Sequence, residues 1–191
     1  PYQYQVYKGG HTLMPTDLND ACDFVLASFQ NPLPAPERWH HADLYPDFEV
    51  WGYTVESNLA EPGFIEMRGV SKGGMGISTS KWQPHGWIIP GVQIKVKTPT
   101  IYEPNARYTL LDYNVTRDSK ETLRVETDGE GRIEFSVNHE SHQIGIYKKK
   151  DPPEIVYLAH RVNDKNIFLE QNKTGSLKLR LLNRGGSKAG H

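Results

Sequence analysis

Cysteine is almost missing from this chain: Cys22 is the single thiol in 191 residues, which excludes an internal disulfide and any Cys/His spacing suited to zinc. Long apolar runs are missing as well. None approaches the roughly 20 residues of a membrane-spanning helix, and the first residues lack the charged and apolar regions of a signal peptide. Nor is there a surplus of charge, since 22 Lys and Arg stand against 23 Asp and Glu for a formal net charge of -1. Without such a field, neither nucleic acid nor an anionic membrane is recruited by charge alone. The expectation is therefore a chain with no metal, no cofactor, no nucleic-acid partner and no membrane span.

What is present is mostly strand pattern. Tyr2 to Tyr7 alternates aromatic or apolar with polar residues, the period of a half-buried strand. Lys8-Gly9-Gly10-His11 breaks it. Leu18, Cys22, Val25, Leu26 and Phe29 then recur at helical spacing, with Thr16 as a candidate N-cap and Pro32 as a stop. Three prolines at 32, 34 and 36 favour an extended connector. Beyond it, strand-like runs follow one another at 48–55, 64–70, 92–98, 108–115, 123–127, 133–137, 144–147 and 155–158. No helical pattern separates them, which is the signature of a sandwich or barrel. Asp128-Gly129-Glu130-Gly131 supplies turn chemistry between 123–127 and 133–137, and predicts a hairpin there.

The fold class expected is mainly β, an antiparallel immunoglobulin-like β-sandwich with a short N-terminal strand-loop-helix segment. Residues 1–33 form that segment, 34–46 a Pro-rich linker and 47–160 the sandwich. Residues 161–191 read as a linker and the first strand of a further domain, because Leu177 to Leu181 alternates anew before Asn183-Arg184-Gly185-Gly186. Pro1 opens directly on a strand pattern, so the chain reads as a fragment of a longer polypeptide.

Gly69-Val70-Ser71-Lys72-Gly73 spells the G-x-S-x-G of a nucleophile elbow. An elbow needs a helix next, whose N-terminus faces the developing oxyanion. The residues that follow, Gly74 to Ser80, are glycine-rich and polar, poor helix material. Ser71 is accordingly read as a decoy nucleophile in a glycine-rich loop. His139-Glu140-Ser141-His142 has two residues between its histidines instead of the three of a helical zinc motif, and predicts a solvated hairpin tip. His40, His41 and Asp43 read as a polar linker patch. Trp82 and Trp87 flank a loop carrying Pro84 and Gly86, where rings can face solvent and stack on sugars; Trp51, Tyr45, Tyr53 and Tyr102 are further candidates, with core packing as the bland alternative.

The strand, the Lys8-Gly9-Gly10-His11-Thr12-Leu13 loop and the helix after it resemble the C-terminal end of the α/β-hydrolase fold, of the secreted esterase and prolyl-peptidase-like kind. The resemblance covers about the first 31 residues. It implies that His11 is the catalytic base of a triad whose serine and acid are supplied by the rest of the hydrolase chain, and an extracellular or periplasmic setting. The central part is similar to the β-sandwich domains that follow such hydrolase domains. Two readings of function stand side by side: a non-catalytic accessory region of a serine hydrolase, its partner being the remainder of that hydrolase and its target an ester or peptide, and a carbohydrate-binding module that holds polysaccharide on Trp82 and Trp87. A stand-alone hydrolase using Ser71 ranks behind both.

Overall fold

In the computed structural model, residues 15–31, 34, 36–82, 86–162 and 176–187 are described. The chain divides into two compact units, up to Pro36 and from Glu37 onward. In the first, the helical periodicity gives α1, Pro15–Gln30. It starts on a proline, whose missing N–H is no loss in a first turn. Leu18, Leu26 and Phe29 on it are exposed. No helix among the described residues is long and apolar enough to cross a membrane.

The second unit is an antiparallel β-sandwich. In chain order its strands are β1 Trp39–Asp43, β2 Phe48–Val50, β3 Tyr53–Ser57, β4 Gly63–Ser71, β5 Gly74–Lys81, β6 Gln93–Lys97, β7 Arg107–Asn114, β8 Ser119–Glu126, β9 Glu134–Asn138, β10 His142–Tyr147, β11 Ile155–Val162 and β12 Leu177–Asn183. Six form one sheet in the order β1-β4-β5-β10-β7-β8, and four form a second, β2-β3-β6-β9. Alternation decides which side chains turn inward. Ile65, Met67, Met75, Ile77, Ile144 and Ile146 of the larger sheet meet Val55, Ile94, Val96, Phe135 and Val137 of the smaller in one core.

Several expectations change. The predicted hairpin across Asp128 to Gly131 does not form: β8 pairs with β7 and β9 with β6, so this loop carries the chain from one sheet to the other. Its chemistry explains the switch. The Asp128 carboxylate accepts from the amides of Glu130 and Arg132 and from Arg132 Nε, each at 2.9 Å, which ties up the corner internally. The run read as a glycine-rich loop, Gly74 to Ser80, is β5, a central strand between β4 and β10. Residues 40–43, read as linker, belong to the edge strand β1, where short length and polarity suit an edge.

Leu177 to Asn183 pairs antiparallel with β11 instead of opening something new. The resulting ribbon lies against the outer face of the six-stranded sheet. Arg180 reaches Tyr113 and Asp118, and a Cβ on Gly145 would stand 2.3 Å from the Arg184 carbonyl oxygen, so only glycine permits the approach.

Candidate functional site

Two places in the sandwich hold the residues singled out by sequence. The first is the end where β4 begins and β5 ends. There the ring of Trp82, just past β5, lies nearly parallel to that of Phe64 on β4, with centroids 5.2 Å apart and planes 13° from each other. The pair follows from register. Phe64 sits opposite Ser80, on the same outer face, two residues from Trp82. Trp82 is 58% exposed and Trp87 83%, so neither has gone into the core.

Backbone bonds fix Trp82 and Trp87 on either side of residues 83–85. Lys81 N–H donates to the Trp87 carbonyl at 2.9 Å, and Trp82 N–H to that of Pro62. Gly86 approaches so closely that a Cβ there would stand 2.1 Å from the Lys81 carbonyl oxygen. From below, the buried Thr79 hydroxyl accepts from Ile89 N–H at 3.0 Å and donates to the His139 carbonyl at 3.0 Å. Beside the rings, Ser80 donates to Glu66 at 2.6 Å, and Glu66 pairs with Arg68. Stacked rings bordered by a hydroxyl, a carboxylate and a guanidinium match what a sugar presents: an apolar ring face and a rim of hydroxyls.

The other aromatics are elsewhere. Tyr53 and Tyr102 are core residues, 4% and 6% exposed, and burial pushes both phenols up, that of Tyr53 to about 12. Trp51 stands with Gly52 in the two-residue turn between Val50 and Tyr53, which pair with each other. The Tyr53 hydroxyl approaches the Ser71 carbonyl, which places this turn at the far end of β4 from Trp82, about 25 Å along a nine-residue strand. Phe64 was missed because its place beside Trp82 depends on β5, a strand that the composition of Gly74 to Ser80 disguises.

The second place is Ser71. No helix follows it. Gly69 has a φ of +54° at a bulge in the β4-β5 register, and Ser71 opposes Gly74 across the two-residue turn Lys72-Gly73. The glycines of the motif therefore serve a bulge and a hairpin turn. Ser71 Oγ donates to Glu154 Oε1 at 3.0 Å, and Arg184 lies 3.4 Å from the same Oγ. Burial pushes the Glu154 carboxyl up, yet the hydrogen bond and charge of Arg184, with Ser71 and Arg38, hold it below its ordinary value. A carboxylate stabilised in this way is a poor base for a hydroxyl, and among the described residues no imidazole is a partner of Ser71.

Among the described residues, His40, His41 and His142 have partners of their own. His142 is 4% exposed, with Nδ1 2.7 Å from Asp112 and Nε2 2.8 Å from Asn138. Glu140, buried too, accepts from Asn114 at 2.6 Å and from Arg117 Nε at 2.9 Å. These bonds, Asn114 first, outweigh burial and bring its carboxyl down to about 2. The expected solvated tip is thus a buried polar network on the β9 to β10 crossing. His40 Nδ1 accepts from the Gly69 amide at 3.2 Å, and His41 lies 3.0 Å from Asp43. Among the described residues, no three His, Cys, Asp or Glu side chains are grouped to hold a metal ion. His11 lies outside the described residues.

Comparison with known proteins finds no matching family model, no matching curated protein and no matching solved structure.

Proposed function

We propose that this chain is a non-catalytic accessory region of a multidomain serine hydrolase, esterase or peptidase-like, with a sandwich that does no chemistry. The observation that carries the second half is the fate of Ser71: its hydroxyl is spent on Glu154, in a hairpin instead of an elbow. The hydrolase half rests on the resemblance of about the first 31 residues, strand, loop and helix, with His11 as a base completed by a serine and an acid of the hydrolase domain. A fluorophosphonate probe and p-nitrophenyl acetate test the reading directly. Neither labelling nor turnover is expected, and labelling that vanishes in Ser71→Ala overturns it.

A second reading has an observation of its own, the exposed Trp82 stacked on the half-buried Phe64, with the exposed Trp87 close by in the chain. In it the sandwich binds carbohydrate by stacking. Titration with soluble xylan, mixed-linkage glucan and pectin, followed by tryptophan fluorescence, is expected to give a saturable change. Loss of one stacking ring costs about 1 kcal/mol, so Trp82→Ala weakens that binding roughly fivefold. Unaltered binding in both Trp82→Ala and Trp87→Ala sets this reading aside.

A further inference from the structure

Between the outer face of the six-stranded sheet and the β11-β12 ribbon lies a cleft of about 430 Å³. Its residues fall into two chemical classes. Arg38, His40, Arg68, Gln143 and Arg184 bring polar groups, whereas Val156, Tyr157 and Leu158 of the ribbon bring apolar surface. Among the described residues, no carboxylate lines it.

The polar side is made of donors. One carboxylate oxygen, Glu154 Oε1, accepts from both Arg38 and Arg184 at 2.8 Å, so two guanidiniums share a single countercharge. Arg68 has Glu66. Among the described residues, three guanidiniums against two carboxylates leave a surplus of one positive charge. The Gln143 amide oxygen faces Arg184 at 3.4 Å, which leaves its NH2 to donate. With His40 Nδ1 accepting from Gly69, the ring hydrogen of the neutral tautomer sits on Nε2, a further donor. Arg184 itself is 1% exposed, and among the described residues its Nε has no hydrogen-bond partner. An orphaned buried donor next to shared countercharge marks a region short of acceptors.

We propose that this cleft binds a small organic monocarboxylate, its carboxylate on the arginine wall and its apolar body against the ribbon. A single surplus charge fits a monoanion better than a dianion such as a phosphate monoester. Paired donors on a guanidinium match a carboxylate in geometry as well as charge. The volume falls within the range of ordinary small-molecule sites. Arg38 and Arg68 are both more than half exposed, so the mouth is open on the side that a carboxylate would approach. Arg68 also borders the aromatic end and Arg184 also faces Ser71, but the inference requires neither carbohydrate binding nor chemistry at Ser71.

The test uses benzoate as the probe and benzamide as its neutral isostere, titrated into the 15N-labelled chain. Expected are saturable benzoate shifts of the Gly69, Gln143 and Arg184 amides, weaker at high salt, and binding at least about tenfold weaker for benzamide and for Arg68→Ala, a difference of about 1.4 kcal/mol. Arg68 is a surface residue paired with Glu66, so its removal leaves the fold readable; if the variant spectrum collapses, the salt dependence of the unmodified chain decides in its place. Benzamide binding as tightly as benzoate, shifts confined to other parts of the sandwich, or an affinity indifferent to both salt and Arg68 would each overturn the proposal.

Discussion

Arg184 ties the β11-β12 ribbon to the six-stranded sheet. From the end of β12 it donates to Glu154 and to the Gly69 carbonyl, both at 2.8 Å, and it is almost fully buried. Nothing in Asn183-Arg184-Gly185-Gly186 signals this, because a glycine-flanked arginine after a strand is usually a solvated turn. Breaking a buried ion pair by removing one partner typically costs about 3–5 kcal/mol. Arg184→Met is therefore expected to lower the urea midpoint by a large fraction of the total stability, with Arg184→Lys giving little rescue, since one ammonium cannot replace a planar fork facing four acceptors. A midpoint unchanged in Arg184→Met would mean that the ribbon is held by its backbone ladder and packing alone. Ser71 teaches the same lesson from the other side. A motif is a string of residue types, and whether a hydroxyl is poised or spent depends on what arrives opposite it, here Glu154 from 83 residues further along.

Strands β5 and β6 show where pattern reading works and where it stops. In β6, Val92 to Lys97 alternates plainly, and the buried residues are those the alternation selects, Ile94 and Val96. In β5 the message is overwritten. Gly74 and Gly76 weaken any propensity for strand, yet every residue from Gly74 to Thr79 is buried. Small side chains are required there by crowding. A Cβ on Gly74 would stand 1.9 Å from the Ile144 carbonyl oxygen, and its φ of +136° disfavours any L side chain. Gly74→Ala is expected to cost on the order of 3 kcal/mol, read as a lower melting temperature in calorimetry, whereas Gly129→Ala, with open space around it, leaves that temperature within a degree or two. Equal effects would show that β5 is not in register with β10 as described.

At the scale of the whole molecule, the sandwich is closed at each end by a crossing organised around a carboxylate: Asp128 between β8 and β9, Glu140 between β9 and β10. Hydrogen bonds bring both carboxyls from ordinary values of 3.8 and 4.5 down to about 2. The unfolded chain therefore takes up protons at a higher pH than the folded one, and stability rises with pH wherever that difference exists. The contribution is complete above about pH 4.5 and disappears as pH falls toward 2. Urea midpoints are expected to be flat from pH 7 to 5 and to drop steeply below about 4.5, and Glu140→Gln should flatten the drop; an equally steep fall in that variant would place the acid sensitivity in other groups. The sequence by itself determined the strand-dominated class, the helix of residues 15–30 and the loop position of Trp82 and Trp87, because periodicity and turn residues are local properties. Tertiary structure alone decided that Asp128 to Gly131 crosses between sheets, that Phe64 stacks on Trp82, that Ser71 serves Glu154 and that His142 is buried. Each of these depends on pairing between segments distant in sequence, and the free energy that selects one pairing is the burial of a shared core and the satisfaction of its polar groups, quantities that no single segment carries.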